Sequence, residues 1–341
     1  MASIVALGAV TVGINLPSSR AELRELGLVP GSDSMITVER MEEIRRTLQK
    51  NHGTLPQPTS GGSVANTADF LARAGISCGF MGVGGNDTFG RLFAANCERA
   101  SLKFLSELED GAITGYDFYL YDENDVRTII LTHGANALLS PVRLDLEAIE
   151  RSELVLLDGI ALSFGPESEA AMLRCVQAAE MAAVPFVLAL AGIEIVDGYR
   201  DFFNTFAPNA QMVAGNLEQV AVLVGLRPTA SLEEVRIKLA QTSIDAIVTL
   251  DADGAFARFD DEECLMPTQK IEAVDSTGAG DNFLAAFLMA RRQGLTVRQA
   301  LAVGNSVAGE VIQFQGARLP LSFDVHKFMV EAMQNAKGRD N

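Results

Sequence analysis

The chain has 341 residues, of which 48% are hydrophobic and 21% are charged, and it contains no tryptophan. At roughly 150 residues per domain, this length corresponds to one or two folded units. Acidic residues outnumber basic residues by 44 to 27, which gives a formal net charge of −17. Proteins that bind nucleic acids or anionic membranes usually carry the opposite balance, because their affinity comes from neutralising phosphates. We therefore expect neither a nucleic acid nor a membrane as a partner.

The cysteines and the apolar segments indicate a reducing compartment. The four cysteines lie far apart in the sequence, with no metal-binding spacing to each other or to histidine. The longest apolar run, 181–193, contains Pro185 and is too short to span a bilayer. The first residues lack the basic segment of a secretory signal. These features predict reduced thiols and a cytoplasmic protein.

Strand and helix signals alternate along most of the chain. Short apolar runs predict buried strands at 4–8, 154–157, 186–190, 212–214 and 246–250. Apolar residues at helical spacing predict helices at 167–183, 232–242 and 296–315. This alternation predicts an α/β fold, in which a mostly parallel sheet is covered by helices on both faces.

The segment 113–132 has a different pattern. Residues such as Tyr116 and Phe118 alternate with more polar ones before an Asp-Glu-Asn-Asp turn, which predicts a β-hairpin. Together with the polar segment 11–38, the hairpin predicts a small β subdomain that covers a cleft as a lid. An ordinary edge hairpin is the alternative. We expect one domain over 1–335, with the lid formed from about 11–38 and 113–132.

A glycine-rich loop opens a predicted helix within 273–283. Gly278 and Gly280 allow a tight turn and the close approach of a ligand. The unpaired N–H groups at the start of the helix favour an anion such as phosphate. Asp281 follows directly, and a carboxylate at this place can accept a proton from an attacking hydroxyl. The sequence leaves open whether Asp281 is instead only a capping residue that stabilises the helix.

A second glycine cluster precedes another predicted helix, and it consists of Gly61, Gly62, Ser63 and Asn66. It would place a hydroxyl and an amide beside accessible backbone, a site suited to a polyol. The glycines of 82–90 do not form a GxGxxG motif, and GxxxxGK[ST] occurs nowhere in the sequence. These absences exclude a P-loop and a Rossmann dinucleotide site. A dehydrogenase is excluded with the Rossmann site.

The two clusters, in this order, resemble the two signatures of the ribokinase family, also called the pfkB carbohydrate kinases. The resemblance covers 4–320, and the layout is similar to the adenosine kinase-like branch, with counterparts for 28–31, 158–159 and 308–318. It implies a ribokinase-like three-layer α/β sandwich with a mostly parallel central sheet and a small β-strand lid. It also implies ATP-dependent phosphorylation of a hydroxymethyl group of a sugar or nucleoside, with Mg²⁺ on the phosphates. A monovalent cation such as K⁺ beside the loop at Asp275 is a further expectation from the family.

The resemblance also assigns roles to individual residues. Asp281 would be the base that deprotonates the acceptor hydroxyl, and the helix start would hold the phosphoryl oxygens through Gly278, Ala279 and Gly280. Arg127 of the hairpin would clamp the phosphates, with a solvated strand arginine as the alternative. The substrate-contacting positions are Gly61, Gly62, Ser63 and Asn66. The ATP side is assigned to Asn216, Thr249, Asp251, Gly254 and Asn305.

Three departures from the family pattern concern substrate and metal. Ala9 and Gly13 replace a polar residue and an aspartate of the first strand, which removes a charge-assisted hydrogen bond to the sugar of roughly 1.5 to 3 kcal/mol. Ile160 stands where adenosine kinases place an aromatic residue. The family's Asn-x-x-Glu motif ends in an amide here, so Asn216 and Gln219 would contact a metal ion through water.

The catalytic end therefore matches the family, while the acceptor end is changed. Two hypotheses follow: an active kinase, or a catalytically degenerate member that binds nucleotide or sugar as a regulator. The identity of the acceptor stays open, as does the choice between a monomer and a homodimer.

Overall fold

The computed structural model describes residues 2–259 and 262–338. The strands are, in chain order, β1 (Ile4–Leu7), β2 (Thr11–Pro17), β3 (Asp33–Met35), β4 (Thr59–Gly61), β5 (Cys78–Met81), β6 (Lys103–Phe104), β7 (Thr114–Tyr121), β8 (Arg127–Gly134), β9 (Leu154–Asp158), β10 (Phe186–Ala189), β11 (Met212–Asn216), β12 (Ala246–Thr249), β13 (Ala255–Phe259) and β14 (Glu262–Met266). The helices are α1 (Arg20–Glu25), α2 (Val38–His52), α3 (Ser63–Arg73), α4 (Thr88–Arg99), α5 (Leu146–Glu150), α6 (Ser168–Met181), α7 (Ile193–Gly198), α8 (Arg200–Phe206), α9 (Leu217–Leu223), α10 (Leu232–Leu239), α11 (Ala279–Arg292), α12 (Val297–Val311) and α13 (Val325–Gly338).

Over the described residues, the larger sheet has nine strands in the order β14-β13-β12-β11-β10-β9-β1-β5-β6. In this spatial order, all neighbouring strands between β12 and β6 pair parallel. β13 pairs antiparallel with β12, and β14 pairs antiparallel with β13 at the edge of the sheet. The five apolar runs that predicted strands correspond to β1, β9, β10, β11 and β12. These strands are buried along most or all of their length, as strands covered on both faces must be.

Helices pack on both faces of this sheet. One apolar cluster joins β5 to α3 and α11, through residues such as Phe70, Phe80 and Phe287. The other joins β9 to α6 on the opposite face, through residues such as Leu157 and Val176. The predicted three-layer α/β sandwich is therefore confirmed. Among the described residues, no helix combines the length and the apolar character that a membrane span requires.

In the described part of the chain, the smaller sheet has five strands in the order β3-β8-β7-β2-β4, and its two faces differ in chemistry. One face packs on α2 through apolar side chains such as Val12 and Phe118. Alternate residues of the same strands, among them Thr11, Asp117 and Tyr119, face a cleft between the two sheets. One apolar and one polar face is the usual pattern of a sheet that is covered on one side.

The predicted hairpin consists of β7 and β8, which pair antiparallel. β2 and β3 fall within 11–38, but the sequence did not predict α1 between them or the edge strand β4. β4 is only three residues long and reads Thr-Ser-Gly, so it has no hydrophobic periodicity that could reveal it. The extent of the lid, 11–38 and 113–132, stays a prediction.

Candidate active site

A cavity of about 770 Å³ lies between the two sheets. Its walls come from the carboxyl ends of parallel strands, from the polar face of the smaller sheet and from the start of α11. Ligands of open α/β sheets bind at this edge. The predicted residues that line the cavity are Gly61, Gly62, Ser63, Asn66, Asn216, Gln219, Thr249, Asp251, Gly254, Ala279, Gly280, Asp281 and Asn305. Gly278 and Arg127 lie outside its lining.

Asp281 lies in the first turn of α11, and two side chains of α3 hold its carboxylate. Ser63 Oγ donates a hydrogen bond to Oδ1 at 2.6 Å, and Asn66 Nδ2 donates one to Oδ2 at 2.8 Å. Burial raises the pKa of Asp281, and these hydrogen bonds and the charge of Arg318 offset only part of that increase. A carboxylate with a raised pKa and a fixed orientation is suited to accept a proton.

Arg318 fixes the orientation of Asn66, and the sequence analysis did not assign it to the site. Arg318 Nε donates to Asn66 Oδ1 at 2.8 Å, and Nη1 donates to Asp69 Oδ1 at 2.8 Å. Because the amide oxygen of Asn66 is engaged in this way, its amino group faces Asp281. Arg318 and Asn66 are 252 positions apart, so no local sequence pattern connects them.

The start of α11 forms an anion-binding geometry. Gly278 has a φ of +77°, and a Cβ there would lie 2.3 Å from the carbonyl oxygen of Ala317, so only glycine fits. A Cβ at Gly280 would meet nothing within 4 Å, which leaves open space beside the first-turn N–H groups. Ala279 N donates only a long hydrogen bond, 3.3 Å, to the carbonyl oxygen of Ser276. N–H groups of a first helical turn have no carbonyl one turn earlier and favour an anion. Gly278 is the N-cap, so Asp281 is not the capping residue.

Asp275 organises the loop that leads into α11. Its carboxylate accepts hydrogen bonds from the backbone N–H groups of Thr277 (2.9 Å) and Gly316 (2.8 Å). Burial alone would raise the pKa of Asp275, but these hydrogen bonds and the charge of Arg127 hold it below its usual range. Arg127 itself is exposed, with Cζ 6.0 Å from the ring centroid of Tyr119. The charge of Arg127 therefore acts on the loop that leads into α11, although Arg127 does not line the cavity.

Asn216 and Gln219 form a capping box at the start of α9. Gln219 N donates to Asn216 Oδ1, and Asn216 N donates to Gln219 Oε1, both at 2.9 Å. Because both amide oxygens are engaged, the two NH₂ groups remain as donors, and donors suit phosphate oxygens. Within 2–259 and 262–338, no group of three or more His, Cys, Asp and Glu side chains could hold a metal ion. This donor set suits a Mg²⁺ ion that is bound mainly by phosphates and water.

Two other residues that the resemblance assigns to ATP, Asn305 and Gly254, have structural contacts as well as places in the cavity lining. Asn305 Nδ2 donates to the carbonyl oxygens of Met266 (3.0 Å) and Pro267 (3.3 Å). Gly254 has a φ of +101°, and a Cβ there would lie 2.1 Å from the Met266 carbonyl oxygen. Both residues therefore position the chain that follows β14, along the wall of the cavity.

The residues that depart from the family pattern for the substrate lie at the end of the cavity that the resemblance assigns to the acceptor, and other side chains surround them there. Ala9 and Ile160 line the cavity. A Cβ at Gly13 would lie 2.7 Å from Cε2 of Tyr119, so the tyrosine ring occupies the space beside the glycine. In the register of β2 and β7, the residue opposite Gly13 is Asp117. The sequence did not single out Asp117, because the hairpin as a whole was predicted as part of a lid and no residue pattern showed which of its side chains face the cleft.

This cleft, with a buried carboxylate at an anion-binding helix start, defines an α/β phosphotransferase type of site. The chain belongs to the pfkB family of carbohydrate kinases, whose family model matches residues 29–323. It is 26% identical to 5-dehydro-2-deoxygluconokinase from Shouchella clausii over 262 aligned residues. The alignment covers 74% of this chain and 80% of that protein.

Solved structures agree with this fold. Adenosine kinase from Sinorhizobium meliloti superposes with a TM-score of 0.85 at 23% identity, covering 97% of this chain and 99% of that one. A putative ribokinase II from E. coli, solved in complex with ATP and Mg²⁺, has a TM-score of 0.78 at 19% identity and covers 99% of this chain and 100% of that one. The family resemblance predicted from the two glycine clusters is confirmed.

The two glycines of the α11 start make a matched pair of variants. We expect Gly278→Ala to lower the free energy of unfolding by about 1 to 3 kcal/mol, because alanine is strained at this φ and meets Ala317. Gly280→Ala should not lower stability, since its methyl group enters open space in a helix, but it should weaken nucleotide binding. Chemical denaturation and ATP titration measure both effects. Equal stability losses for the two variants would contradict this description of the loop.

Proposed function

We propose that the protein transfers the γ-phosphoryl group of ATP to a hydroxymethyl group of a sugar or nucleoside. The observation that carries this proposal is the carboxylate of Asp281, which is oriented by Ser63 and Asn66 and borders an anion-binding helix start. Both features face one cavity that is large enough for two ligands. Relatives named 5-dehydro-2-deoxygluconokinase, adenosine kinase and ribokinase support a sugar or nucleoside acceptor.

In the proposed reaction, Asp281 takes the proton of the acceptor hydroxyl. The hydroxyl oxygen then forms a bond to the γ-phosphorus, and the bond from that phosphorus to the bridging oxygen of ADP breaks. Hydrogen bonds from Ser63 and Asn66 fix the carboxylate for this step, and Arg318 holds Asn66 in place. Positioning and charge stabilisation provide most of the rate in phosphoryl transfer.

The helix start and the lid would stabilise the negative charge on the oxygens of the phosphoryl group during its transfer. The backbone N–H of Gly280 would donate to the phosphoryl oxygens, and that of Ala279 would do so by exchanging its 3.3 Å bond to the carbonyl oxygen of Ser276. The positive end of the α11 dipole adds to their effect. Gly278 provides the turn that exposes them. Arg127 would bring a positive charge from the lid when the lid closes on ATP.

ATP would occupy the other end of the cavity. The residues proposed to bind it are Asn216, Thr249, Asp251, Gly254 and Asn305. Mg²⁺ would enter with ATP and offset the phosphate charge. Asn216 and Gln219 would contact it through metal-bound water, which would donate to the second lone pairs of their amide oxygens, while their NH₂ groups would donate to phosphate oxygens. The neighbour solved with ATP and Mg²⁺ supports this pair of cofactors. A monovalent cation near Asp275 stays a prediction from the family.

Asp281→Asn tests the proposed base. We expect kcat to fall by at least about 100-fold, because the amide cannot accept the proton, while ATP affinity changes little. The matched control is Asp201→Asn, the same change at an exposed position on α8 outside the cavity, which should retain full activity. Coupled detection of ADP release and ATP titration measure the two effects. Full activity in Asp281→Asn would contradict the role and favour a protein that only binds its ligands.

The pH dependence gives a second test of the same carboxylate. Only ionised Asp281 can take a proton, so kcat should fall as the pH drops through its pKa, which burial places above 3.8. The acid limb should disappear from the residual activity of Asp281→Asn. A limb that persists in this variant would belong to Asp117 or Asp158, whose pKa values burial raises to about 7, and would contradict the assignment.

A further inference from the structure

Asp117 faces the acceptor end of the cavity from strand β7, and it lacks a strong partner. Thr11 Oγ1 donates to Asp117 Oδ2 at 3.4 Å, which is long for a hydroxyl donor, and the side chain of Tyr119 is the other donor. No cation in the described part of the chain pairs with Asp117. Burial therefore raises the pKa of Asp117 to about 7. A carboxylate can accept about four hydrogen bonds, so this one has capacity for a ligand.

The strand register gives a ligand access to this carboxylate. Asp117 pairs with Gly13 on β2, and Gly13 has no side chain that could bond to Asp117 or cover it. The ring of Tyr119 fills the space beside Gly13 and forms the neighbouring wall of the cavity. The negative charge of Asp281 contributes to the raised pKa of Tyr119. This wall of the cavity therefore lies close to the proposed reaction centre.

A second polar group beside Asp117 also lacks a partner. Nε2 of His133 is buried, lines the same cavity and has no hydrogen bond within the described structure. Burial lowers the pKa of His133, so the ring is mainly neutral at pH 7. Asp117 pairs with Leu131 on β8. His133, two residues further on, is therefore a diagonal neighbour of Asp117 at about 7 to 8 Å. A polyol could bond to both.

The charges at this end of the cavity limit the class of ligand. Its lining contains the carboxylates of Asp117, Asp158 and Asp281. Arg318 is engaged with Asp69 and with the amide of Asn66. Arg127 lies outside the cavity lining, over the ring of Tyr119, and Lys270 belongs to the segment that follows β14. A second negative group on the acceptor would therefore meet the carboxyl group of Asp117 with no cation paired to it, whereas hydroxyl groups would donate to the remaining lone pairs of that carboxyl group.

We propose that Asp117 binds hydroxyl groups of the acceptor and thereby selects neutral polyhydroxy acceptors over sugar acids and sugar phosphates. The inference rests on the proposed kinase function, because it concerns the acceptor of that reaction. Asp117 is a specificity-determining residue in this account, and the proton transfer belongs to Asp281.

The test compares wild type, Asp117→Ala, Asp117→Asn and the control Asp201→Ala. Neutral acceptors are D-ribose, D-fructose and adenosine, and charged ones are D-gluconate and D-fructose 6-phosphate. We expect wild type to phosphorylate neutral compounds. Asp117→Ala should raise the acceptor KM by about 10- to 100-fold and leave the KM for ATP within about two-fold. Asp117→Asn should give a smaller increase, because its amide oxygen still accepts hydrogen bonds.

Thermal unfolding separates binding from a structural role. Removing a buried carboxylate that has no cation should leave the melting temperature unchanged or raise it, whereas loss of a structural residue would lower it. An unchanged acceptor KM in Asp117→Ala would overturn the proposal and leave the kinase function intact. Preference of wild type for D-gluconate or D-fructose 6-phosphate would also overturn it.

A second measurement keeps the two proposals distinct if wild type releases no ADP with any acceptor. That result would contradict the kinase function on this panel, and calorimetry with D-ribose, D-fructose and adenosine, in the presence of a non-hydrolysable ATP analogue, would then test Asp117 directly. Binding by wild type that is lost in Asp117→Ala supports the proposal. Equal binding by the two proteins, or none by wild type, overturns it.

Discussion

The contact between α3 and the first turn of α11 is the interaction on which the site depends. Ser63 and Asn66 donate to the two carboxylate oxygens of Asp281 across 218 and 215 positions of sequence. Burying a carboxylate is costly unless hydrogen bonds compensate for lost water. The fold meets this requirement by bringing both glycine clusters to one edge of the central sheet. Arg318 extends the same network, because it donates to the amide oxygen of Asn66 and to the carboxylate of Asp69.

The smaller sheet contributes to the cleft through its alternation of side chains. Apolar residues such as Phe118 fix the sheet on α2, and the residues between them face the cavity. Any polar residue on the cavity face is therefore a candidate for contact with the acceptor. Gly13 and Asp117 are partners in this register, so the end of the cavity that we propose for the acceptor has, on β7, a carboxyl group with only two side-chain donors.

Much of the fold was predictable from the sequence, because parallel strands buried on both faces appear as continuous apolar runs. The α11 start was also predictable, since a glycine with positive φ and an acidic residue in the first helical turn form a local motif. Arg318 and Asp117 were not, because their roles depend on residues distant in sequence and on which face of a strand points to the cleft. Asn216 and Gln219 were predicted as metal contacts, and the capping box that engages their oxygens became visible only in the structure.

The end of the cavity that we propose for the acceptor departs furthest from the family pattern. A helix start that binds phosphate requires glycines that expose backbone N–H groups, and the proposed proton transfer requires one carboxylate beside it, so these features leave little freedom. Acceptor recognition requires only that a few polar groups match the hydroxyls of the ligand, and any neighbouring strand can supply them. The carboxylate of Asp117 and the buried nitrogen of His133 are groups of this kind.

The most direct measurement is ³¹P nuclear magnetic resonance of wild-type protein with ATP, Mg²⁺, K⁺ and a neutral acceptor that has a hydroxymethyl group. The account predicts acceptor-dependent loss of the γ-phosphate signal and a new phosphomonoester whose phosphorus couples to the two protons of the hydroxymethyl carbon. ATP that binds but stays intact with every neutral sugar and nucleoside would contradict it, and would indicate a protein that binds ligands without phosphoryl transfer.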